Sequence, residues 1–363
     1  MKIGIDGKWY ISGPPSGTVV INNIINIIIT EQKENKFVLF LPRKDRLKAF
    51  KLLDVYKENR NIQIVYTISS FTIIYNLFIL PYYAKKHKVE KLLIQNFCPF
   101  FFHRKIKYFV YIHDFLFIDF PQFYTKSEKF IYMFMSYLSK FAYSIITISE
   151  SEKKRIAKHS KYPISKIFVA YHGVSDNFKD GLALSNNMDL PSKYILFVGR
   201  INVRKNIQLI LDSMPKIDKS VSLVIIGKKD NKTFDIDEYI IQNNLSNRVK
   251  LLGFVKNEDL RLILSNAFVF AFPSFAEGFG LPPLEAMKSG VPVIVSNTTC
   301  LPEICGNAAL YCSPNSSEEF ISAFELLNND LDFYNLKVNQ GLNYSSSFTW
   351  SKTVSTIIKI MEK

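Results

Sequence analysis

Two glutamates, Glu277 and Glu285, flank a segment rich in glycine and proline, FAEGFGLPPLEAMKSG. The apolar, β-favouring run FVFAFPS precedes it and predicts a strand that leads into the segment. Gly278 and Gly280 allow a tight turn and a close approach of the backbone to a ligand. The two prolines that follow suit the first turn of a helix. We therefore expect Glu277 on a loop and Glu285 in the first turn of a helix.

This arrangement predicts a site for a nucleotide sugar. The N–H groups of Gly280 and Leu281 are free at the start of the predicted helix, where the helix dipole favours an anion such as a phosphate. Carboxylates are poor partners for phosphate but accept hydrogen bonds from sugar hydroxyls, so one glutamate suits a ribose and the other a hexose. The alternative is structural: Glu285 complements the dipole and Glu277 lies on a surface loop.

A second loop, GRINVRKN, follows the predicted strand YILFV and carries Arg200 and Lys205. Both cations can neutralise a diphosphate leaving group, arginine through two hydrogen bonds and lysine as a point charge. Arg204 lies beside Lys205, but its side chain need not face the site. The alternative is a basic surface loop.

The elements that position these loops alternate between strand and helix along the chain. Such alternation predicts an α/β protein with parallel sheets covered on both faces. We expect two Rossmann-like, doubly wound domains, residues 1–175 and 190–346, that face each other across a cleft. A polar, irregular stretch over 174–193 is the linker candidate, and a helix within 347–363 is expected to pack back on the first domain. Ligands in such sheets bind beyond the carboxyl ends of the strands.

Composition narrows the class of protein. The chain has 363 residues, 48% hydrophobic and 21% charged, with a net charge of +14. This charge favours anionic partners such as phosphates, nucleic acid or an acidic lipid surface, although a solvated basic surface explains it equally well. The four cysteines form no CxxC motif, so we expect buried thiols and no metal site.

The location of the protein is predicted from its apolar segments. The N-terminus does not have the pattern of a signal peptide, and the most apolar stretch, FTIIYNLFILPYYA, is too short to span a bilayer. We expect a cytoplasmic protein. The segments AKKHKVEKLL and FFHRKIKYF mix basic and aromatic residues and could lie on the inner face of an anionic membrane or form ordinary solvated surface. The aromatic face of KFIYMFMSYLSKFAY is interpreted as core or as lining of the acceptor cleft.

The segment SFAEGFGLPPLEAMKSGVPVIVSN closely resembles the signature of the retaining glycosyltransferases with the GT-B fold, family four. The stretches FVGRINVRKNIQLIL, LVIIGKKD, VKLLGFVKNEDL and LPEICGNAALYCSP match the family pattern in the same order. The first half matches more loosely, through IDGKWYISGPPSG, VYIHDFLFIDFP, ITISESEKKRI and VAYHGVSDNF. The resemblance covers nearly the whole chain.

The resemblance implies four catalytic residues. Glu277 would bind donor-sugar hydroxyls and stabilise the transition state, and His113 would lie against the donor sugar, although a core or turn histidine is the alternative. Arg200 and Lys205 would hold the diphosphate. The remaining residues would bind substrate: Glu285 at the ribose, Phe254, Val255 and Gly227 near the nucleobase, and Gly17, Gly199, Gly278, Phe279, Gly280 and Leu281 through their backbones.

The resemblance also implies the reaction. A hexosyl unit would pass from a nucleoside-diphosphate sugar to a hydroxyl of a lipid-linked saccharide, with retention at the anomeric carbon, in O-antigen or capsule biosynthesis. GDP-mannose is favoured over dTDP-rhamnose and UDP-hexoses, and neither a cofactor nor a bound metal is expected. The alternatives are a glycoside hydrolase, which also uses two carboxylates, and a sugar-nucleotide-binding protein without activity. A nucleic-acid binder would carry a basic motif that we do not find.

Overall fold

The computed structural model describes residues 1–53, 59, 61–69, 71–100, 105–179, 181, 188–230 and 234–363. The chain divides into two compact units. Unit 1 comprises Met1–Gly173 together with Trp350–Lys363, and unit 2 comprises Val174–Thr349. The C-terminal segment is therefore part of the unit formed by the first half of the chain.

Unit 1 is built on a parallel sheet of seven strands within the described residues. In spatial order the strands run β3-β2-β1-β4-β5-β6-β7. The chain adds β2 and β3 on one side of β1 and the later strands on the other side, so the strand order reverses between β1 and β4. Every neighbouring pair is parallel. The strands are β1 (Lys2–Asp6), β2 (Lys36–Pro42), β3 (Ile62–Thr67), β4 (Lys91–Gln95), β5 (Lys107–Ile112), β6 (Ser144–Thr147) and β7 (Ile167–Val169).

Helices lie in the connections between these strands, except that residues 96–100 and 105–106, the described part of the connection from β4 to β5, contain none. A π-helical segment, Tyr75–Ile79, joins two of them into one continuous helical stretch. The C-terminal helix packs against the first helix of the unit. The helices of unit 1 are α1 (Pro15–Glu31), α2 (Arg46–Leu53), α3 (Thr72–Ile74), α4 (Leu80–Lys86), α5 (Leu116–Asp119), α6 (Lys126–Ser139), α7 (Glu150–Ser160) and α15 (Trp350–Glu362).

Unit 2 repeats this plan with six parallel strands among its described residues, in the order β10-β9-β8-β11-β12-β13. The reversal lies between β8 and β11. The strands are β8 (Tyr194–Val198), β9 (Ser222–Ile226), β10 (Val249–Gly253), β11 (Val269–Phe272), β12 (Val293–Ser296) and β13 (Leu310–Cys312). The helices are α8 (Ile207–Ser213), α9 (Ile236–Gln242), α10 (Asn257–Ser265), α11 (Leu281–Lys288), α12 (Leu301–Cys305), α13 (Ser317–Asn329) and α14 (Leu331–Ser345).

The predicted class of fold is confirmed, because both units are parallel-sheet α/β structures. Strands such as β2, with all but one residue buried, are apolar on both faces because helices cover both sides of the sheet. Strand β13 was not predicted as a strand, since only three residues pair. Ser149 caps α7, accepting a hydrogen bond from the N–H of Glu152 at 3.1 Å. The four cysteines are free and buried, also as predicted.

Of the two interpretations of the aromatic face of KFIYMFMSYLSKFAY, core is wrong, and lining of the acceptor cleft stays a prediction. Helix α6 ends at Ser139, before the end of the predicted segment, and buries only Met135, Leu138 and Ser139. Phe130 and Tyr137 are 59% and 60% exposed, so this aromatic face is not core.

No helix in the described parts of the chain is both long enough and apolar enough to cross a membrane. The stretch FTIIYNLFILPYYA forms α3, the π-helical segment and the start of α4. Of the two basic and aromatic segments noted in the sequence, FFHRKIKYF begins with residues 101–104, which lie outside the described residues.

Candidate functional site

The site in unit 2 lies where two neighbouring parallel strands end. Strands β8 and β11 pair at the point where the strand order reverses. The loop after β8 carries Arg204 and Lys205, and the loop after β11 carries Glu277. Because the carboxyl ends of parallel strands share one edge of the sheet, the two loops meet there, at the position where open α/β sheets bind ligands.

The loop after β8 is held by two asparagines. Asn202 accepts a hydrogen bond from the N–H of Lys205 at 3.1 Å and caps a short 3₁₀ turn, Val203–Lys205. Asn206 ends the turn in a left-handed conformation with φ of 56°. Its buried amide donates to the carbonyls of Pro273 at 3.0 Å and Pro314 at 2.8 Å. The turn that carries Lys205 is therefore fixed to the loop after β11.

The loop after β11 ends at Gly280, which precedes α11 with φ of 113°. This conformation favours glycine, and a Cβ atom there would also lie 2.9 Å from Leu301 Cδ2. The two prolines occupy the start of α11, as predicted. The prediction that Glu285 lies in the first turn is wrong: the helix begins at Leu281, so Glu285 lies one turn further along.

Glu277 is the centre of a buried charged cluster. Its Oε1 accepts a hydrogen bond from Lys205 Nζ at 2.7 Å, and its Oε2 lies 3.0 Å from Arg204 Nη1. Arg204 also donates to the carbonyl of Ala276. The backbone N–H of Glu277 donates to Thr299 Oγ1 at 3.1 Å. With a side chain only about 10% exposed, Glu277 has its carboxylate held between two cations.

The charges of this cluster determine its protonation. Burial alone raises the pKa of Glu277, but the adjacent Arg204 and Lys205 outweigh burial and lower that pKa to about 2. Burial lowers the pKa of Lys205 to about 8, although Glu277 opposes this effect. At neutral pH the cluster therefore holds one carboxylate and two cations, which leaves one net positive charge near the start of α11.

The structure separates the two predicted cations. Lys205 is buried, with its Nζ 4.4 Å from the centre of the Phe272 ring. Arg200 is largely exposed, and its Nη1 lies 3.4 Å from Asp230 Oδ2. Its charge nevertheless contributes to lowering the pKa of Lys205, so it lies within electrostatic reach of the cluster. The arginine that contacts Glu277 is Arg204, which the sequence prediction had left aside.

Glu285 lies in a different environment from Glu277. Burial raises the pKa of its carboxyl to about 7. The two glutamates thus differ in acidity because one is paired with cations and the other is desolvated. A carboxyl with a pKa near 7 exchanges its proton at neutral pH and can accept a hydroxyl hydrogen bond in its ionised form.

The loops after β9 and β10 carry the remaining predicted binding residues of unit 2. A Cβ atom on Gly227 would lie 1.7 Å from the carbonyl oxygen of Gly199, so the backbone packing there requires glycine. This close approach gives a structural reason for Gly227 besides the predicted room for a base. Phe254 is 74% exposed, with Lys228 Nζ 5.4 Å from its ring centre, and Val255 is partly buried.

The predicted backbone donors fall at the start of α11. Gly278 and Phe279 are buried, and Leu281 is partly buried. The carbonyl of Phe279 accepts a hydrogen bond from the thiol of Cys300 at 3.0 Å.

In unit 1, His113 lies at the equivalent edge of the sheet, after β5. Its Nε2 is 2.9 Å from Gln95 Oε1, and burial lowers the pKa of its imidazole to about 4. The N–H of Gln95 donates to Asp6 Oδ2 at 3.3 Å, and burial raises the pKa of Asp6 to about 6. His113 is therefore neutral at pH 7 and suits hydrogen bonding better than charge stabilisation.

Trp9 packs against His113, with ring centres 5.6 Å apart. Gly17, predicted on a loop, lies instead in the first turn of α1, because the helix begins at Pro15. A Cβ atom on Gly17 would lie 2.7 Å from Trp9 Cε3. Glycine at this position therefore lets α1 approach the tryptophan.

Comparisons with known proteins show which family and which folds the chain resembles. Residues 184–339 match the family of glycosyl transferases group 1. In fold, the chain resembles the sucrose-phosphate synthase of Thermosynechococcus elongatus, with a TM-score of 0.77 at 17% identity over 100% of this chain and 98% of that one. It also resembles Anabaena HepE, solved in complex with UDP and glucose, with a TM-score of 0.71 at 17% identity over 100% and 99% of the two chains.

The chain has the GT-B fold, and residues 184–339 match a glycosyltransferase family.

In sequence, the chain is 28% identical to O-antigen chain mannosyltransferase B of Escherichia coli over 269 residues, 70% of each chain. It is 30% identical to O-antigen chain mannosyltransferase RfbU of Salmonella typhimurium over 181 residues, and this match spans half the length of each chain.

Two residues of the site in unit 2 were not predicted from the sequence. Arg204 contacts Glu277, and Asn206 joins the two loops. The spacing GRINVRKN offered three cations for one carboxylate, and nothing in the linear pattern distinguishes which of them turns inward. Among the described residues, no group of three or more histidine, cysteine or acidic side chains could hold a metal ion.

Proposed function

We propose that the protein is a glycosyltransferase of polysaccharide biosynthesis. It moves a hexosyl unit from a nucleoside-diphosphate sugar to a hydroxyl of a lipid-linked saccharide, and the anomeric configuration is retained. The observation that supports this proposal is the Glu277 cluster beside the start of α11, where Arg204 and Lys205 lie within hydrogen-bonding distance of one carboxylate. GDP-mannose is the favoured donor, in line with the mannosyltransferase names of the two O-antigen relatives. Other donors, dTDP-rhamnose or a UDP-hexose, are the alternatives.

The cluster supports the diphosphate part of this proposal. Its net positive charge lies beside the free N–H groups at the start of an eight-residue helix, and both favour an anion. Lys205 has three N–H donors, of which Glu277 takes one at 2.7 Å. In our proposal the others, with the exposed Arg200, neutralise the departing nucleoside diphosphate.

The state of Glu277 supports a role in binding the sugar rather than in covalent catalysis. Each of its oxygens is engaged by a cation, and its pKa of about 2 makes it a weak base. It is therefore a poor nucleophile and cannot act as the general acid that a glycoside hydrolase needs. In our proposal it accepts hydrogen bonds from the donor sugar, and the leaving phosphate helps to take the proton of the acceptor hydroxyl.

Unit 1 contributes His113 in this proposal. A neutral imidazole, fixed by Gln95 at 2.9 Å, can hydrogen-bond the donor sugar without adding charge. Glu285 binds the ribose, and the exposed Phe254 and its neighbour Val255 lie next to the base. The reaction runs at the inner face of the cytoplasmic membrane, where a lipid-linked acceptor would be presented.

A panel of nucleotide sugars tests the donor. GDP-mannose, dTDP-rhamnose, UDP-glucose and UDP-galactose are each added in a thermal-unfolding assay, since a bound ligand stabilises the fold by mass action. We expect one of them to raise the melting temperature well above the others. The same nucleotide should then be released when a saccharide acceptor is added, and NMR of the product gives the anomeric configuration.

The variant Glu277→Ala tests whether Glu277 is needed for sugar transfer or only for binding of the nucleotide. We expect this variant to lose transfer while most nucleoside-diphosphate binding survives, because Lys205 and the start of α11 remain. Normal turnover by the variant would contradict the role of Glu277. Binding without nucleotide release by the wild type would favour a sugar-nucleotide-binding protein, and sugar release without any nucleotide would favour a glycoside hydrolase.

A further inference from the structure

Helix α6 turns large apolar side chains toward solvent. Phe130, Met133 and Tyr137 are 59%, 58% and 60% exposed, and Phe134 and Phe141 are also exposed. We call these five residues the α6 face. The spacing of the first four places them on one side of α6, away from the buried Met135 and Leu138, and Phe141 follows just after the helix ends. At 1.5 Å per residue the four helical members extend over about 10 Å.

The α6 face contains two pairs of neighbouring rings. The rings of Phe130 and Phe134 lie 5.2 Å apart, and those of Tyr137 and Phe141 lie 6.2 Å apart, measured between centres. A surface helix normally places polar residues on its solvent side, and a group of exposed apolar side chains is typical of an interaction site. The α6 face is therefore a candidate docking surface.

The charges around the α6 face are basic. Over residues 126–141, all of them described, the cationic side chains are Lys126, Lys129 and Lys140. Lys140 Nζ lies 3.6 Å from the centre of the Tyr137 ring. The acidic side chain in this range, Glu128, accepts a hydrogen bond from the N–H of Thr125 at 2.7 Å as part of the helix cap. The face thus combines an aromatic centre with a positive margin.

We propose that the α6 face docks on the surface of an anionic lipid bilayer, with α6 lying in the plane of the headgroups. Aromatic side chains favour the interface between headgroups and acyl chains, and lysines beside them are attracted to anionic lipids. A bilayer surface has one sign of charge over its whole area, which matches a margin of lysines better than a protein interface with charges of both signs would. The inference rests on the proposed function only for the reason that the protein would bind a membrane, which is to reach a lipid-linked acceptor.

The test is co-sedimentation of the full chain with vesicles. One set contains phosphatidylglycerol and phosphatidylethanolamine, and the other contains phosphatidylcholine alone. We expect the wild type to bind the anionic vesicles at least tenfold more tightly than the neutral ones, with affinity falling as salt rises. The variant Phe130→Ser/Met133→Ser/Tyr137→Ser should lose at least tenfold in affinity. The variant Lys126→Glu/Lys129→Glu/Lys140→Glu should lose the preference for anionic lipid.

Matched controls lie elsewhere on the chain. Leu326→Ser/Leu331→Ser/Leu336→Ser removes three exposed apolar side chains from unit 2, and Lys219→Glu/Lys256→Glu/Lys359→Glu reverses three exposed lysines outside α6. We expect the apolar control to bind vesicles like the wild type and the charge control to retain more affinity than the α6 charge variant. All replaced residues are exposed except Lys129, which is partly buried, and unchanged circular dichroism will show that the variants fold.

Three outcomes would overturn the inference. The first is a wild type that binds neither kind of vesicle. The second is an apolar α6 variant that binds like the wild type. A dimer in light scattering that the α6 variant abolishes, without lipid binding by the wild type, would assign the face to a second copy of the chain. Vesicle binding uses no sugar nucleotide, so failure of the donor panel would refute the proposed function and leave this inference standing.

Discussion

Replacing Glu277 with glutamine would leave two buried cations, Arg204 and Lys205, without their counter-charge. In the folded protein the pKa of Glu277 falls from 4.5 to about 2, because the two cations outweigh the effect of burial. At about 1.4 kcal/mol per pKa unit, this change contributes about 3 kcal/mol to the free energy of unfolding. Since the folded-state pKa is the lower one, the contribution is complete above about pH 4.5 and is lost as the pH falls toward 2.

A loss of about 3 kcal/mol corresponds to a decrease of about 6–12 °C in the melting temperature of a unit of this size. Differential scanning calorimetry of wild type and Glu277→Gln, without ligand and between pH 5.5 and 7, measures this decrease. The difference should be constant over that range, because Glu277 is fully ionised throughout it. Removing one partner of a buried ion pair typically lowers the free energy of unfolding by an amount of this size.

The matched control is Glu285→Gln. Burial raises the pKa of Glu285 to about 7, so the fold disfavours its ionised form. A carboxyl whose folded-state pKa is raised destabilises the fold once the pH exceeds its unfolded value, and an amide removes this penalty. Glu285→Gln should therefore melt at the same temperature as the wild type or higher. The reasoning is refuted if Glu277→Gln melts within about 2 °C of the wild type, or if both variants lose the same amount.

Four further predictions use the same region. Arg204→Lys keeps the charge but removes the guanidinium, whose Nη1 contacts both Glu277 and the carbonyl of Ala276. The value of kcat should therefore fall about 10- to 100-fold with little change in donor KM; equal kinetics would contradict a positioning role. Gly227→Ala should destabilise unit 2 by about 3 kcal/mol or more in thermal unfolding, because its Cβ would lie 1.7 Å from a carbonyl oxygen. The control is Gly253→Ala, where φ is 62° and the space is open, and it should destabilise the unit by only about 1 kcal/mol. The kcat/KM profile should rise as Glu285 ionises near pH 7 and fall as Lys205 loses its proton near pH 8, and Glu285→Gln should remove the acidic limb. Transfer should survive EDTA without added divalent ions; loss that Mg²⁺ restores would refute the expected independence from metal.

The regular elements were predictable because their signals are local. Strands such as β1 (KIGID) and β2 (KFVLFLP) are short apolar runs bounded by turn residues. The beginning of α11 followed from the glycine and proline pattern, since these residues restrict or free their own backbone. Weakly paired elements such as β13 gave no comparable signal.

The contacts within the site depend on residues distant in sequence. Arg204 turns toward Glu277 because Asn202 caps a short turn and Asn206 is anchored to carbonyls from the loops after β11 and β13. Neither constraint can be read from GRINVRKN alone. The sequence therefore predicted a basic loop and an acidic loop, but not which arginine contacts the acid.

The sequence by itself determined the parallel α/β class of both units and the segments that contribute to the site, because hydrophobic periodicity and backbone restriction are properties of neighbouring residues. Only the tertiary structure decided that Arg204 pairs with Glu277, that the two glutamates differ in acidity, and that the apolar face of α6 is exposed. These features depend on burial and on charges brought close by folding. A helical pattern gives the spacing of a face, whereas only the packing of the sheet and its helices decides whether that face is covered.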